Sequence, residues 1–235
     1  VSLTACSGTV SADSSTQTQN TVLDSTTPGT TSQATVTTPV SADFDDDDFA
    51  STMNGEAIGI TLNGDSIAVA GEGATANGST VTITAAGTYE ISGTLNNGQI
   101  IVDTQDAENV TLLLAGVNIH NENGPPIYVA NAEKVVTTLS DGTQNNLSDG
   151  ASYTNLDESG EPNAALFSHD DLTINGNGAL NVNTNYYNGI TSKDDLKITG
   201  GTITVNAVND GIRRPDSLVV KDGLITVNAN ADGLQ

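Results

Sequence analysis

The amino-acid sequence predicts an all-β protein, specifically a single-stranded right-handed parallel β-helix (solenoid) with coils of about 22 residues. Three observations predict it. Gly189-Ile190, Gly211-Ile212 and Gly233-Leu234 recur at intervals of 22 residues, and Leu172, Leu196 and Leu218 recur at 24 and then 22. The segments ALNVNT (179–184), TITVNA (202–207) and LITVNA (224–229) align within that period, each alternating apolar and polar residues as a strand does. Aromatic residues make up only 3% of the chain, with no Trp. The apolar volume comes from Val, Ile, Leu and Ala, which suits narrow stacked strands better than a broad globular core. Leucine-rich repeats share the repeat length but need a Leu-x-x-Leu-x-Leu frame missing here, and propeller blades need about 40 or more residues.

At the N-terminus, Leu3-Thr4-Ala5-Cys6 matches the apolar-small-small-Cys pattern of a bacterial lipobox. Residues 1–6 therefore read as the end of a lipoprotein signal peptide, and Cys6 as a lipidation site; the alternative is an incidental cysteine in a flexible tail. It is the single cysteine, so no intrachain disulfide can form. Residues 7–57 read as a disordered linker, Ser/Thr-rich to about residue 42 and then acidic at Asp43-Phe44-Asp45-Asp46-Asp47-Asp48-Phe49. That acidic run is taken as solvated: an EF-hand loop wants Gly at its sixth position, where Asp48 stands. From residue 58 short alternating runs appear at 58–62, 81–84, 89–95 and 99–102, separated by Asn-Gly and Gly-Asp turn signals. Residues 58–235 are thus the folded domain, with almost no helix. Because Gly233-Leu234 opens another strand just before Gln235, the domain is expected to continue beyond the C-terminus.

The 29 Asp and Glu against six Lys and Arg give a net charge of −23. Such a field repels nucleic acid and anionic membranes and strains the fold unless cations neutralise it. No apolar run reaches the roughly 18 residues of a membrane span. A lipid at Cys6 would tether the protein to the cell surface without crossing the bilayer.

Stacking turns each repeat position into a physical column. Asp170, Asp194 and Asp216 share one, Asp171 and Asp195 the next (followed by Ser217), and Asn188, Asp210 and Asp232 a third. Carboxylates about 5 Å apart repel by several kcal/mol at an intermediate dielectric. Lys193, Lys197, Arg213 and Lys221 are too few to pair them all. Calcium, with roughly six to eight oxygen ligands, fits these columns; turn capping by the same aspartates is the competing reading. With no Cys–His cluster, zinc is not expected.

The runs GTYEISGTLNNGQIIVD, IYVANAEKVVTTLSDGTQNNLSDG, LFSHDDLTINGNGALNVN and GITSKDDLKITGGTITVNAVNDGI resemble the bacterial carbohydrate-binding β-helix proteins, which carry calcium and are related in fold to polysaccharide lyases. The resemblance spans roughly residues 58–235 and is strongest in the Ser-Lys-Asp-Asp-Leu and Asp-Gly-Ile units. It implies a secreted protein that binds cellulose- or pectin-like polysaccharide. It also implies calcium at turns matching Asp170, Asp171, Asp194, Asp195, Asp210 and Asp216. Two departures are His169 in place of a Lys, and Arg213-Arg214-Pro215 in place of a Gly-Lys-like turn.

Tyr186, Tyr187, Arg213 and Arg214 are candidate ligand contacts: tyrosine rings stack on sugar faces, and an arginine either pairs with Asp194 or Asp216 or serves as the base of a lyase. Tyr153 offers a third ring. His120 and His169 have no evident nucleophile partner and read as surface or turn residues. The resulting reading is calcium-dependent, non-catalytic binding of plant cell-wall-type polysaccharide at the bacterial surface. A calcium-dependent pectate lyase and an adhesive structural protein are the alternatives.

Overall fold

The computed structural model describes residues 44–49, 57–154, 156–214 and 217–235. Cys6 and Asp216 lie outside the described residues, as does most of the linker. Among the described residues, one short 3-10 turn at Asp46–Asp48 is followed by nineteen strands. The first two, β1 (Ile58–Gly64) and β2 (Ile67–Ala70), form an antiparallel hairpin, as do β3 (Ala74–Asn77) and β4 (Thr80–Ile83). Their tight turns use Gly64 and Gly78 at positive φ, the conformation hairpin turns require and glycine supplies without steric cost.

Then come β5 (Gly87–Leu95), β6 (Gln99–Asp103), β7 (Val110–Asn121), β8 (Ile127–Asn131), β9 (Lys134–Leu139) and β10 (Gln144–Asp149). The C-terminal part holds β11 (Ala164–Ser168), β12 (Asp171–Gly176), β13 (Ala179–Asn183), β14 (Asn188–Ser192) and β15 (Leu196–Ile198). It ends with β16 (Thr202–Ala207), β17 (Ile212–Arg213), β18 (Leu218–Val220) and β19 (Leu224–Ala229).

The prediction of an all-β chain without long helices agrees with these elements; the predicted fold class does not. The chain is not a single-stranded solenoid of uniform 22-residue coils. Twelve strands make one large sheet that curls like half a barrel, and seven others make a separate mixed sheet in the order β17-β14-β11-β8-β6-β4-β3. The large sheet is continuous because β7 serves both of its arms: Val110–Leu114 pairs with β9, and Asn118–Asn121 with β10. Between them the strand bends at Gly116, which has φ +85. Asn145 holds the bend, its Oδ1 accepting from the Gly116 and Val117 N–H groups at 3.0 Å each.

Spacing also varies. Leu196 pairs with Leu218, 22 residues on, whereas Ile127 pairs with Leu166, 39 residues on, because the 150–163 segment intervenes. The period read from residues 172–234 holds for that stretch and not upstream.

The core consists of like residues in register. Leu172, Leu196 and Leu218 form one column, and Leu166, Ile190 and Ile212 another. All are buried, each worth about 1.5–3 kcal/mol relative to exposure. Backbones approach closely where β14 meets β17: a Cβ on Gly189 would lie 2.4 Å from the Gly211 carbonyl oxygen.

Candidate functional site

The aspartates stack as the repeat implies, but their oxygens are engaged by neighbouring rungs. Asn188 Oδ1 accepts from the Asp210 N–H, and Asp210 Oδ1 from the Asp232 N–H, both at 3.2 Å. Asp171 Oδ1 accepts from the Asp195 N–H at 3.2 Å, and Asp195 Oδ1 from the Ser217 hydroxyl. Asp170 Oδ2 accepts from the Ala132 N–H at 2.9 Å. Ser168 pairs with Ser192, so Asp170 and Asp194 occupy equivalent turn positions.

Asp194 and Asp195 lie near enough to Asp171 for their charges to act on it. Burial raises the Asp171 carboxyl above its ordinary value, and the charges of Asp194 and Asp195 raise it further, against opposing help from the Asp195 N–H and Lys197. Among the described residues no three His, Cys, Asp or Glu side chains converge as a metal-holding group. Of the four cations expected beside these columns, Lys193, Lys197 and Lys221 have closer partners elsewhere and Arg213 lies beside Asp210. Lys193 pairs with Glu161 at 2.6 Å and Lys197 with Asp48 at 3.0 Å. Lys221 lies 4.1 Å over the Phe49 ring, and Arg213 Nε approaches Asp210 at 3.9 Å.

A groove runs over the outer face of the seven-stranded sheet. Beneath it runs a register column from Ile101 through Tyr128, Phe167 and Thr191 to Arg213, in which Phe167 and Thr191 are buried. One wall is the segment between β10 and β11, carrying Tyr153, Leu156, Asp157, Glu161 and Pro162. The space divides into a cavity of about 790 Å³ beside Gln99, Asn123 and Tyr128, and one of about 270 Å³ beside Thr191, Lys193, Arg213 and Arg214. Glu161 borders both. Tyr128, Phe167 and His169 form an aromatic cluster, with Phe167 and His169 edge to face at 5.0 Å. At about 4.8 Å per strand, the five residues of that column span roughly 20 Å.

Of the candidate tyrosines, Tyr187 is exposed, while Tyr186 already stacks on Tyr153 at 4.3 Å. Tyr153 is tied to the fully buried Asp149, its hydroxyl donating to Oδ2 at 2.7 Å. His120 does have partners: Nδ1 meets Ser148 Oγ at 3.0 Å and Nε2 meets Glu122 at 3.2 Å.

The acidic run is the clearest departure from expectation. Asp45, Asp46 and Asp47 are solvated, but Asp48 is 0% exposed. Its carboxylate meets Lys134 Nζ at 2.5 Å and Lys197 Nζ at 3.0 Å, and accepts from the Thr173 hydroxyl at 2.6 Å and the Asp45 N–H at 2.9 Å. Burial alone would raise this carboxyl; Lys134, Thr173, Asp45 N–H and Lys197 outweigh it and hold it at about 2. Phe44 and Phe49 flank it, both under Lys221.

Comparison with known proteins places this geometry. A family model described as carbohydrate-binding domain-containing protein matches residues 77–235, and the chain belongs to that family. A carbohydrate-binding domain-containing protein from Acetivibrio thermocellus is 51% identical over 128 residues, covering 54% of this chain and 45% of that protein. The chain thus spans about half the length of this curated relative. A polysaccharide lyase-like protein from C. thermocellum, solved as a gadolinium derivative, is similar in structure with a TM-score of 0.70 and 39% identity. That match covers 76% of this chain and 75% of the other.

Proposed function

We propose that the protein binds an extended cellulose- or pectin-like polysaccharide along the groove of the seven-stranded sheet, with calcium, at the bacterial cell surface. The observation that carries this reading is a pair of cavities that share Glu161, one beside amides and Tyr128 and the other beside Lys193 and Arg213. Amide side chains and a tyrosine face suit sugar hydroxyls and rings, and cations suit uronate carboxylates. Replacing Tyr128 with Ala should weaken soluble polygalacturonate binding roughly tenfold, by calorimetry. Lys193→Ala with Arg213→Ala should weaken it for the acidic polymer while sparing a neutral one. Wild-type affinity in both variants would place the ligand elsewhere.

The donor set at Asp171, Asp194 and Asp195 is all oxygen, which suits a hard cation, and their mutual repulsion gives such an ion something to relieve. It would complete its shell with backbone carbonyls and water. Bound there, calcium supplies a positive charge shared between protein carboxylates and a uronate. Adding millimolar calcium to chelator-treated protein is expected to raise the melting temperature. The rise should shrink in Asp171→Asn/Asp195→Asn, and an equal shift in both proteins would remove this site from consideration. Lipidation at Cys6 would hold the domain at the surface, testable by metabolic labelling with a palmitate analogue.

A lyase is the second reading. It is favoured by the similar polysaccharide lyase-like structure and by Arg213, whose side chain is 42% exposed beside the smaller cavity. Calcium-dependent appearance of unsaturated uronate absorbance would establish it, with loss in Arg213→Ala.

A further inference from the structure

The segment Phe44–Phe49 sits on the fold as a bound peptide would. Among the described residues it pairs with no strand, and it contributes nothing to the continuous apolar core. It is held instead by separate polar and ring contacts to groups 62 to 151 residues away in the chain. The receiving surface is the outer face of β9, β12, β15 and β18. Lys134, Thr173 and Lys197 close on the Asp48 carboxylate. Asn175 Nδ2, at 3.4 Å, and the Thr199 hydroxyl donate to the Asp48 carbonyl oxygen. At the margin, Asn109 Nδ2 donates to Asp47 at 2.9 Å and Lys134 faces Asp45 at 3.6 Å. Lys221 lies 5.1 Å over the Phe44 ring and 4.1 Å over the Phe49 ring, and the two rings lean together at 5.7 Å.

Lys134, Lys197 and Lys221 are half of the six Lys and Arg in a chain of net charge −23. Cations that scarce, gathered under one carboxylate and two rings, make a surface that selects its occupant. The buried carboxylate is read by charge-assisted hydrogen bonds, which need it at one position. The rings, four residues before it and one after, are read by the ammonium of Lys221. A polyanion without rings satisfies only the first requirement. None of these contacts depends on which chain supplies the segment, because the face is built wholly from residues 109–221.

We infer that the outer face of β9, β12, β15 and β18 is a docking site for an acidic segment flanked by phenylalanines, and that it takes this segment from a second copy of the chain as well as from its own. Reach decides which source prevails. Ile58 shares a register line with Tyr89, Leu112, Thr137 and Ile174, and Ile174 lies between two residues that hold Asp48. Four strand steps of about 4.8 Å separate the ends of that line by about 19 Å. The ten residues from Asp48 to Ile58 extend to about 34 Å, so the chain fills its own site comfortably. A tether of that length sets an effective concentration of the order of millimolar, and a dilute wild-type chain therefore stays closed on itself. With residues 51–55 removed the reach falls to about 17 Å, and the site can be filled only by exchange, each copy lending its Asp48 to the other.

The test compares the full chain with the chain lacking residues 51–55 by sedimentation velocity across a concentration series. The wild type should be a monomer and the shortened chain a concentration-dependent dimer. That dimer should dissociate when Asp48→Asn is added to the shortened chain, and also in excess free peptide of residues 43–50. A shortened chain that stays monomeric at every concentration overturns the proposal. So does a dimer indifferent to both Asp48→Asn and the peptide, because its interface then lies on another face. A second measurement leaves the linker intact. Millimolar peptide 43–50 should raise the melting temperature of the full-length Asp48→Asn chain by roughly 2–4 °C and leave the wild type, whose site is filled, unchanged. The peptide with Phe44→Ala and Phe49→Ala should raise it less. An equal rise from a scrambled peptide of the same composition would reduce the site to general attraction of anions, and no rise at all would confine the contact to the chain's own segment; either result sinks the inference.

Discussion

Asp48→Ala is expected to destabilise the folded domain by about 3–5 kcal/mol, the scale for removing one partner of a buried ion pair. The substitution strands Lys197, whose side chain is 13% exposed, and leaves Lys134, at 8%, only the solvent-exposed Asp45 carboxylate at 3.6 Å. The buried Thr173 hydroxyl loses its acceptor as well. Val136 and Val219, each nearly buried, are the register partners of Thr173 and Lys197, two of the residues that hold Asp48. Asp48→Asn keeps a hydrogen-bond acceptor but no charge, so it should fall between wild type and Ala. Urea unfolding would read all three, and a change within about 0.5 kcal/mol for Ala would show that the acidic segment is only laid on the surface.

The same contact sets an acid limit. The Asp48 carboxyl is held at about 2 in the folded chain against its ordinary 3.8. The folded state therefore binds that proton less tightly than the unfolded state, so the contribution is complete above about pH 4 and vanishes as pH falls through about 2. The difference in stability between wild type and Asp48→Asn should shrink across that window.

How far such features can be read from sequence depends on their chain separation. The alternation in TITVNA and LITVNA places Ile203, Val205 and Ile225 inward and the Thr and Asn side chains outward, because strand geometry is local. The Asn188–Asp210–Asp232 column is visible because the rungs that stack it share one period. Asp48 is not visible in this way: its partners Thr173 and Lys197 lie 125 and 149 residues away, and nothing in a run of aspartates marks one of them for burial. The fold class fails for a related reason. A period measured over residues 172–234 says nothing about β7, whose bend depends on a single Asn145 side chain reaching back 28 residues to Val117. His120 likewise gains Ser148 only across a strand pair, 28 residues apart.

Asp149→Ala should cut polysaccharide binding roughly tenfold while costing about 1–3 kcal/mol of stability, since it leaves buried donors without an acceptor. Asp149 is fully buried where β10 ends and the groove wall begins. Its carboxylate accepts from the Tyr153 hydroxyl at 2.7 Å and the Asn185 N–H at 2.5 Å, and its carbonyl from Asn185 Nδ2 at 2.6 Å. It therefore ties the wall segment to the β13–β14 connection, and through Tyr153 it sets the Tyr153–Tyr186 stack. Removing it should free the wall that bounds the larger cavity and blunt the groove without disturbing the strands beneath. Its pH signature is opposite to that of Asp48. Burial raises the Asp149 carboxyl, and the bonds from Asn185 and Tyr153 only partly offset this. The folded state thus holds the proton more tightly than the unfolded one, and the cost of ionising Asp149 appears as pH rises from the ordinary carboxyl value through the raised one. Across that rise Asp149→Asn should gain stability relative to wild type, while Asp149→Ala should bind weakly at every pH. Full binding by the Ala variant would detach the wall from recognition and leave Tyr128, Lys193 and Arg213 as the groove's contribution.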